Sequence, residues 1–239
     1  MARNKHPEET VEKILDVSMR LFSEKGYEHT TIQDIVDALG MSKGAIYHHF
    51  KSKEDIIDRL NDRYYEGLDW FPDLSKIPGE NGLEKLRYAF RHFLTDPAKR
   101  KVDRLVIGYV VKNPKITLLT LESTFRDAAP YVEKIIRLGI DDGSIQGVEY
   151  PCEVAEVLML LTNVWTGMFA GSREEFARKL RFSAEFLKRF GLPVLDEQLQ
   201  ADALSYYAQV IETLCPSAPP TALPARAVFP GKIHTNHRY

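Results

Sequence analysis

Two helices too short to stand alone share one tight turn between Thr30 and Phe50. Ile32, Ile35, Val36 and Leu39 recur at i, i+3, i+4 and i+7, which predicts a first helix with one apolar face. Thr31-Ile32-Gln33-Asp34 at its start reads as a capping box with Asp in the acidic slot. Gly40 supplies the turn, where a positive φ would be costly for any residue bearing a side chain, and Met41 plugs the corner. Ser42 is a natural N-cap for a second helix, in which Ile46 faces inward. Helices of this length are unstable in isolation, so their neighbours must hold them.

Those neighbours are also helical. Val11, Ile14, Leu15, Ser18, Leu21 and Phe22 share one face, started by Pro7-Glu8-Glu9 and stopped by Gly26. Ser52-Lys53-Glu54-Asp55 reads as a second capping box, opening a helix with Ile56, Ile57, Leu60, Tyr64 and Leu68 inward and broken by Pro72 and Pro78. The remainder reads as a helical bundle: 83–95, 98–111, 115–139 (bent or divided at Pro130), 153–170, 174–190 and 195–214. Breaks fall at Pro97, Asn113-Pro114, Asp141-Asp142-Gly143, Pro151, Gly171 and Pro193. From Pro216 onward five prolines and no apolar periodicity predict a disordered tail. The fold class is therefore all-α: an N-terminal three-helix reading unit over 1–52, a larger helical bundle over 53–215, and a tail over 216–239.

Charge is informative by place rather than in total. The formal net charge is −2, and residues 1–60 carry nine Lys/Arg against eleven Asp/Glu. That balance excludes a protein that coats nucleic acid indiscriminately, yet a sequence reader needs only a local basic face. Leu39–Lys53 supplies one, holding Lys43, Lys51 and Lys53 without an acid. The second short helix presents Lys43, Gly44, Ala45, Tyr47 and His48 outward. Small residues near its start let the backbone approach a major-groove floor, and Lys43 can donate to guanine O6 and N7. The pair of helices thus reads as a helix-turn-helix. Arg3 and Lys5 form a basic arm that either reaches DNA or hangs as a loose terminus.

Other classes find little support. Cys152 and Cys215 form no Cys-x-x-Cys pair, so neither a disulfide framework nor a structural zinc site is expected. His48 and His49 are adjacent and splay by about 100° on a helix, and His234 and His237 lie in the tail, so no metal and no cofactor is expected. No nucleophile elbow or phosphate loop occurs, so no enzyme is expected. No run reaches the roughly 18 apolar residues of a membrane span. The N-terminus lacks a signal-peptide core, and a cytoplasmic location is expected.

The segment from about Ile14 to about Leu60 resembles the TetR (TetR/AcrR) family of regulators. The resemblance rests on Phe22-x-x-x-Gly26-Tyr27, the paired Thr30-Thr31, and the Leu39-Gly40 turn. It continues through Ser42-x-Gly44-x-x-Tyr47-x-His49-Phe50 and Lys53. It implies that Thr30 or Thr31 meets a phosphate at a helix N-terminus. Lys43, Gly44 and Ala45 would face base edges, Tyr47 would bond a phosphate through its hydroxyl, and Lys53 would contact another. Ser42 and His48 border the same face; His49 is either a backbone contact or a packing histidine. Val36-Asp37 departs from the small residue usual there, with Asp37 expected in solvent.

A palindromic double-stranded DNA operator requires a two-fold dimer with a self-complementary apolar surface. Helix 153–170 is apolar nearly all round, through Val154, Val157, Leu158, Leu161, Trp165 and Met168, with Leu160, Val164 and Phe169 beside them. Helix 174–190 carries Phe176, Leu180 and Leu187, widened by Phe182, Phe186 and Phe190. Such width exceeds the need of a one-sided helix, and the resemblance implies a homodimer through these C-terminal helices. His92, Phe93, Tyr109, Phe125, Tyr131, Asn163, Trp165 and Phe169 are candidates to line a pocket for a small-molecule effector, as such sites are mostly apolar with few polar groups. The expected function is a repressor released from its operator by that effector. A DNA-binding activator, an effector-independent regulator and a helical enzyme carrying a helix-turn-helix-like segment are the alternatives.

Overall fold

The computed structural model describes residues 7–110, 118, 121–166 and 172–212, the side chains of 7 and 106–110 excepted. Arg3, Lys5, Phe169, the Tyr109 side chain, Cys215 and the tail lie outside the described residues. Among the described residues every regular element is helical. The chain divides between Tyr64 and Tyr65 into two compact units.

In the first unit, α1 (Pro7–Lys25) buries Ile14, Leu15, Ser18, Leu21 and Phe22 as their spacing predicts. Helix α2 spans Ile32–Leu39 and α3 spans Lys43–His49. Helix α4 (Lys53–Glu66) adds Ile56, Ile57 and Leu60 to the same core. Full burial of each such side chain contributes roughly 1.5–3 kcal/mol, which is what holds the seven-residue α3 in place. Arg63 of α4 bridges Glu12 and Asp16 of α1 at 2.9 and 2.8 Å.

The ends of these helices follow sequence chemistry. Thr31 forms the full capping box: its hydroxyl accepts the Asp34 N–H, and the Asp34 carboxylate accepts the Thr31 N–H at 2.8 Å. Gly40 sits at φ 63° with nothing within 4 Å of an added Cβ, so the turn demands glycine for backbone conformation rather than for space. The second expected box is only half made. Ser52 accepts from the Asp55 N–H, but the Asp55 carboxylate accepts from the Lys51 N–H. Helix α4 also stops before Gly67. Leu68 therefore lies past its end, Tyr64 is half-buried, and Tyr65 is the buried residue, set against Phe71 and Phe93.

The second unit holds a short 3-10 turn (Leu74–Lys76), α5 (Gly82–Thr95) and α6 (Pro97–Val110). A π turn over Thr124–Ala128 runs into α7 (Ala129–Asp141). Helix α8 (Pro151–Met159) continues as a π turn over Leu160–Thr166. Helix α9 spans Arg173–Arg189, and α10 (Glu197–Tyr206) continues as a π turn over Tyr207–Ile211. Helix α5 packs on α7 and α10, and α7 on α8. The expected helices are thus present where they are described, but three carry wide i→i+5 turns that apolar periodicity does not reveal.

One buried polar network joins α6 to α10. Lys99 pairs with Asp103, whose other carboxylate oxygen accepts the Tyr206 hydroxyl at 2.8 Å. Burial pushes the Asp103 carboxyl up from its ordinary value, and Lys99 and Tyr206 oppose that push. Removing one partner from such a pair leaves the other charge buried and uncompensated.

Candidate nucleic-acid interface

Helix α3 is anchored by two side chains and leaves the rest outside. Ile46 is fully buried and Phe50, at the C-cap, nearly so. The Ser42 hydroxyl accepts the Ala45 N–H at 3.2 Å, fixing the first turn. Lys43, Gly44, Tyr47 and His48 are exposed and Ala45 is half-exposed. Tyr47 is 45% exposed, far more than a packing tyrosine needs, and the Lys43 ammonium lies 5.9 Å from its ring centroid. The structure therefore leaves Lys43, Gly44, Tyr47 and His48 exposed on the outer side of α3, with Ser42 and Ala45 at its first turn. His49 is half-buried, 5.1 Å from the His48 ring. Desolvation, and then the neighbouring His48, lower its pKa and favour the neutral ring.

Two expected contact residues are placed differently. Thr30 is fully buried and its hydroxyl donates to the Gly26 and Leu21 carbonyls at 2.9 and 3.3 Å. It closes the α1–α2 corner and is removed from the contact set. Thr31 is the exposed member of the pair, although its hydroxyl already serves the cap. Asp34, held well below the usual carboxylate range by Lys25 and Thr31, stays charged there. Thr31→Ala is expected to cost about 1 kcal/mol of stability, measured by urea denaturation; an unchanged midpoint would show that the cap contributes nothing.

Lys53 is likewise committed. Its ammonium donates to the Tyr27 carbonyl at 2.9 Å and lies 4.3 Å from the Tyr27 ring centroid, while the Tyr27 hydroxyl donates to Glu54. It braces α4 against the α1–α2 corner. Lys51 is exposed in the acid-free stretch.

The pocket candidates separate. His92, Phe93 and Tyr131 join one aromatic cluster: Trp70 lies 5.4 Å from His92 and 5.5 Å from Phe93, and Phe71 lies 5.0 Å from Tyr131. Trp70, Phe71 and Tyr88 of this cluster were missed, because the proline-bounded loop around Trp70 reads as a mere break. Phe125 does not belong, being 37% exposed. The π turn directs the smaller Thr124 and Ala128 inward instead. Trp165 turns toward α9, 5.5 Å from Phe182. Asn163 is buried. Among the described residues no group of His, Cys, Asp or Glu is placed to hold a metal ion.

An all-helical chain with a capped, outward-facing α3 after a glycine turn belongs to the helix-turn-helix class. The profile of bacterial regulatory proteins of the tetR family matches residues 14–60. The HTH-type transcriptional repressor AcnR of Corynebacterium glutamicum is 31% identical over 163 residues, spanning 66% of this chain and 80% of that protein. The chain belongs to the TetR family. Against the HTH-type transcriptional repressor KstR2 of Rhodococcus jostii the identity is 46% over 48 residues, 20% of this chain and only 24% of that protein. The solved SmeT–triclosan complex shares the fold, with TM-score 0.51 at 19% identity, covering 95% of this chain and 97% of that one.

Proposed function

We propose that the chain is a sequence-specific DNA-binding transcriptional regulator, a repressor whose α3 enters the major groove of a palindromic operator. The observation carrying this reading is the outer side of α3, with Lys43, Gly44, Tyr47 and His48 exposed and Ala45 half-exposed, free of acids and mounted on buried Ile46 and Phe50. Lys43 meets base edges, and Tyr47, Thr31 and Lys51 meet phosphates. The functional division follows the reading unit up to the start of α4, with the helical remainder serving effector binding and dimerisation. AcnR and KstR2 are named repressors, which supports repression over activation. SmeT was solved with triclosan, which supports a small organic effector for the second unit. Among the described residues no helix is long and apolar enough to cross a membrane. Selection from random duplex DNA at low salt tests this: a palindrome should be enriched, with affinity falling steeply as salt rises. No enrichment would overturn the reading.

The same proposal includes a homodimer. Helix α9 buries Phe176, Leu180 and Leu187 within its own unit, yet leaves Phe182 and Phe190 each 53% exposed. Phe186 stacks between them, 5.9 Å from Phe182 and 4.7 Å from Phe190, and Leu160 is exposed on α8's continuation. A ladder of exposed rings marks an association surface. Phe182→Arg with Phe190→Arg should give monomers in sedimentation velocity and reduce operator affinity at least about tenfold. A dimeric double variant would contradict this placement.

A further inference from the structure

The π turn over Leu160–Thr166 carries two polar atoms with no partner among the described residues. Asn163 and Thr166 are only 4% and 2% exposed, yet the Asn163 Oδ1 and the Thr166 Oγ1 make no hydrogen bond there. Several helical hydroxyls in this protein bond the carbonyl four residues back: Thr162 of the same turn to Leu158 at 2.8 Å, Ser183 to Lys179 at 2.9 Å, Thr95 to Arg91 at 2.8 Å. Thr166 makes no such bond among the described residues. Buried polar groups are nearly always paired, so two orphans within one turn ask for an absent partner.

We infer that Asn163 and Thr166 are the polar recognition point of the effector site, and that the effector is an uncharged, largely apolar molecule bearing a hydroxyl. This rests on the effector reading proposed above. The Asn163 Oδ1 only accepts, so its partner must donate; the Thr166 hydroxyl both donates and accepts. A ligand hydroxyl satisfies both roles. Leu160–Thr166 itself offers no ionisable side chain as a counter-ion for a charged ligand group. Lys179 bonds the Trp165 carbonyl and pairs with Glu175 at 2.9 Å. A site built around a hydroxyl rejects an analogue that lacks it, because its own polar groups are then left unpaired.

The test uses the full chain with para-butylphenol and para-hexylphenol, each beside its methyl ether, read by thermal shift and tryptophan fluorescence. The phenols should bind the wild type at least about tenfold more tightly than their ethers. Asn163→Leu should erase that preference, whereas Thr166→Val, which removes a donor that phenol and ether oxygens both accept from, should weaken both by a similar factor. Thr166→Val is nearly isosteric and removes an orphan hydroxyl, so its ligand-free melting temperature should not fall, which keeps the test valid if Asn163→Leu fails to fold. Equal binding of phenol and ether by the wild type, binding of neither, a preference that survives Asn163→Leu, or phenol binding unchanged by Thr166→Val would overturn the inference. So would a lower ligand-free melting temperature for Thr166→Val, which would mean that a structural water already satisfies the hydroxyl. Operator enrichment is read separately, so a failed effector site and a failed DNA reading give different results.

Discussion

Gly82→Ala is expected to lower the unfolding free energy by about 3 kcal/mol, at the upper end of what overpacking costs. Gly82 opens α5, and an added Cβ would collide with the Gly139 nitrogen and Cα and lie 2.8 Å from the Leu138 carbonyl carbon. All three are backbone atoms of α7, so no side chain can swing aside. Retreat of α5 is also resisted. The Gly82 N–H donates to Asp142 at 2.6 Å and the Leu83 N–H to the Ser144 hydroxyl at 3.1 Å. Relief of the clash would break bonds that satisfy the helix N-terminus. Both tryptophans, Trp70 and Trp165, lie in this second unit, so urea denaturation followed by fluorescence reports it directly. A midpoint unchanged from wild type would show that the close crossing of α5 and α7 is wrong.

Gly44→Ala should behave in the opposite way. No protein atom lies within 4 Å of an added Cβ there. Within α3 the change favours the helix, contributing up to about 0.5 kcal/mol of stability. Operator affinity should nevertheless fall at least about tenfold, because the methyl group projects from the face proposed to lie on the bases. Fluorescence anisotropy on the selected operator, beside urea denaturation, reads both effects. Unchanged affinity would place α3 away from the groove floor. The two glycines thus separate fold from function: one is required by the protein's own backbone, the other by a partner's surface.

The reading unit was legible because its signals are local. The Thr31 box, the Ser42 cap, the Gly40 turn and the inward Ile46 depend on neighbours a few residues away. Thr30 and Thr31 are chemically identical, and only the packed corner shows that Thr30 is spent on the Leu21 and Gly26 carbonyls. Lys53 reads as a phosphate contact because its charge is visible in sequence, whereas its bond to the Tyr27 carbonyl is not. In the second unit the limits are of a different kind. The i→i+5 turns preserve an apolar pattern while changing which side chains point inward, as Phe125 shows. The cluster around Trp70 unites a loop with α5 and α7, and no periodicity connects those segments. The exposed rings on α9 were legible as excess width, since Phe182, Phe186 and Phe190 fall outside the stripe that its own core uses.

In the proposed complex α3 reads bases through Lys43 while its neighbours hold the phosphates. Selection from random duplex DNA, run side by side with the wild type and Lys43→Ala, tests this most directly. A palindrome is expected for the wild type, and for Lys43→Ala the same half-site spacing with preference relaxed at one symmetric position per half-site. An identical motif at every position in the variant, or no palindrome from the wild type, would contradict it.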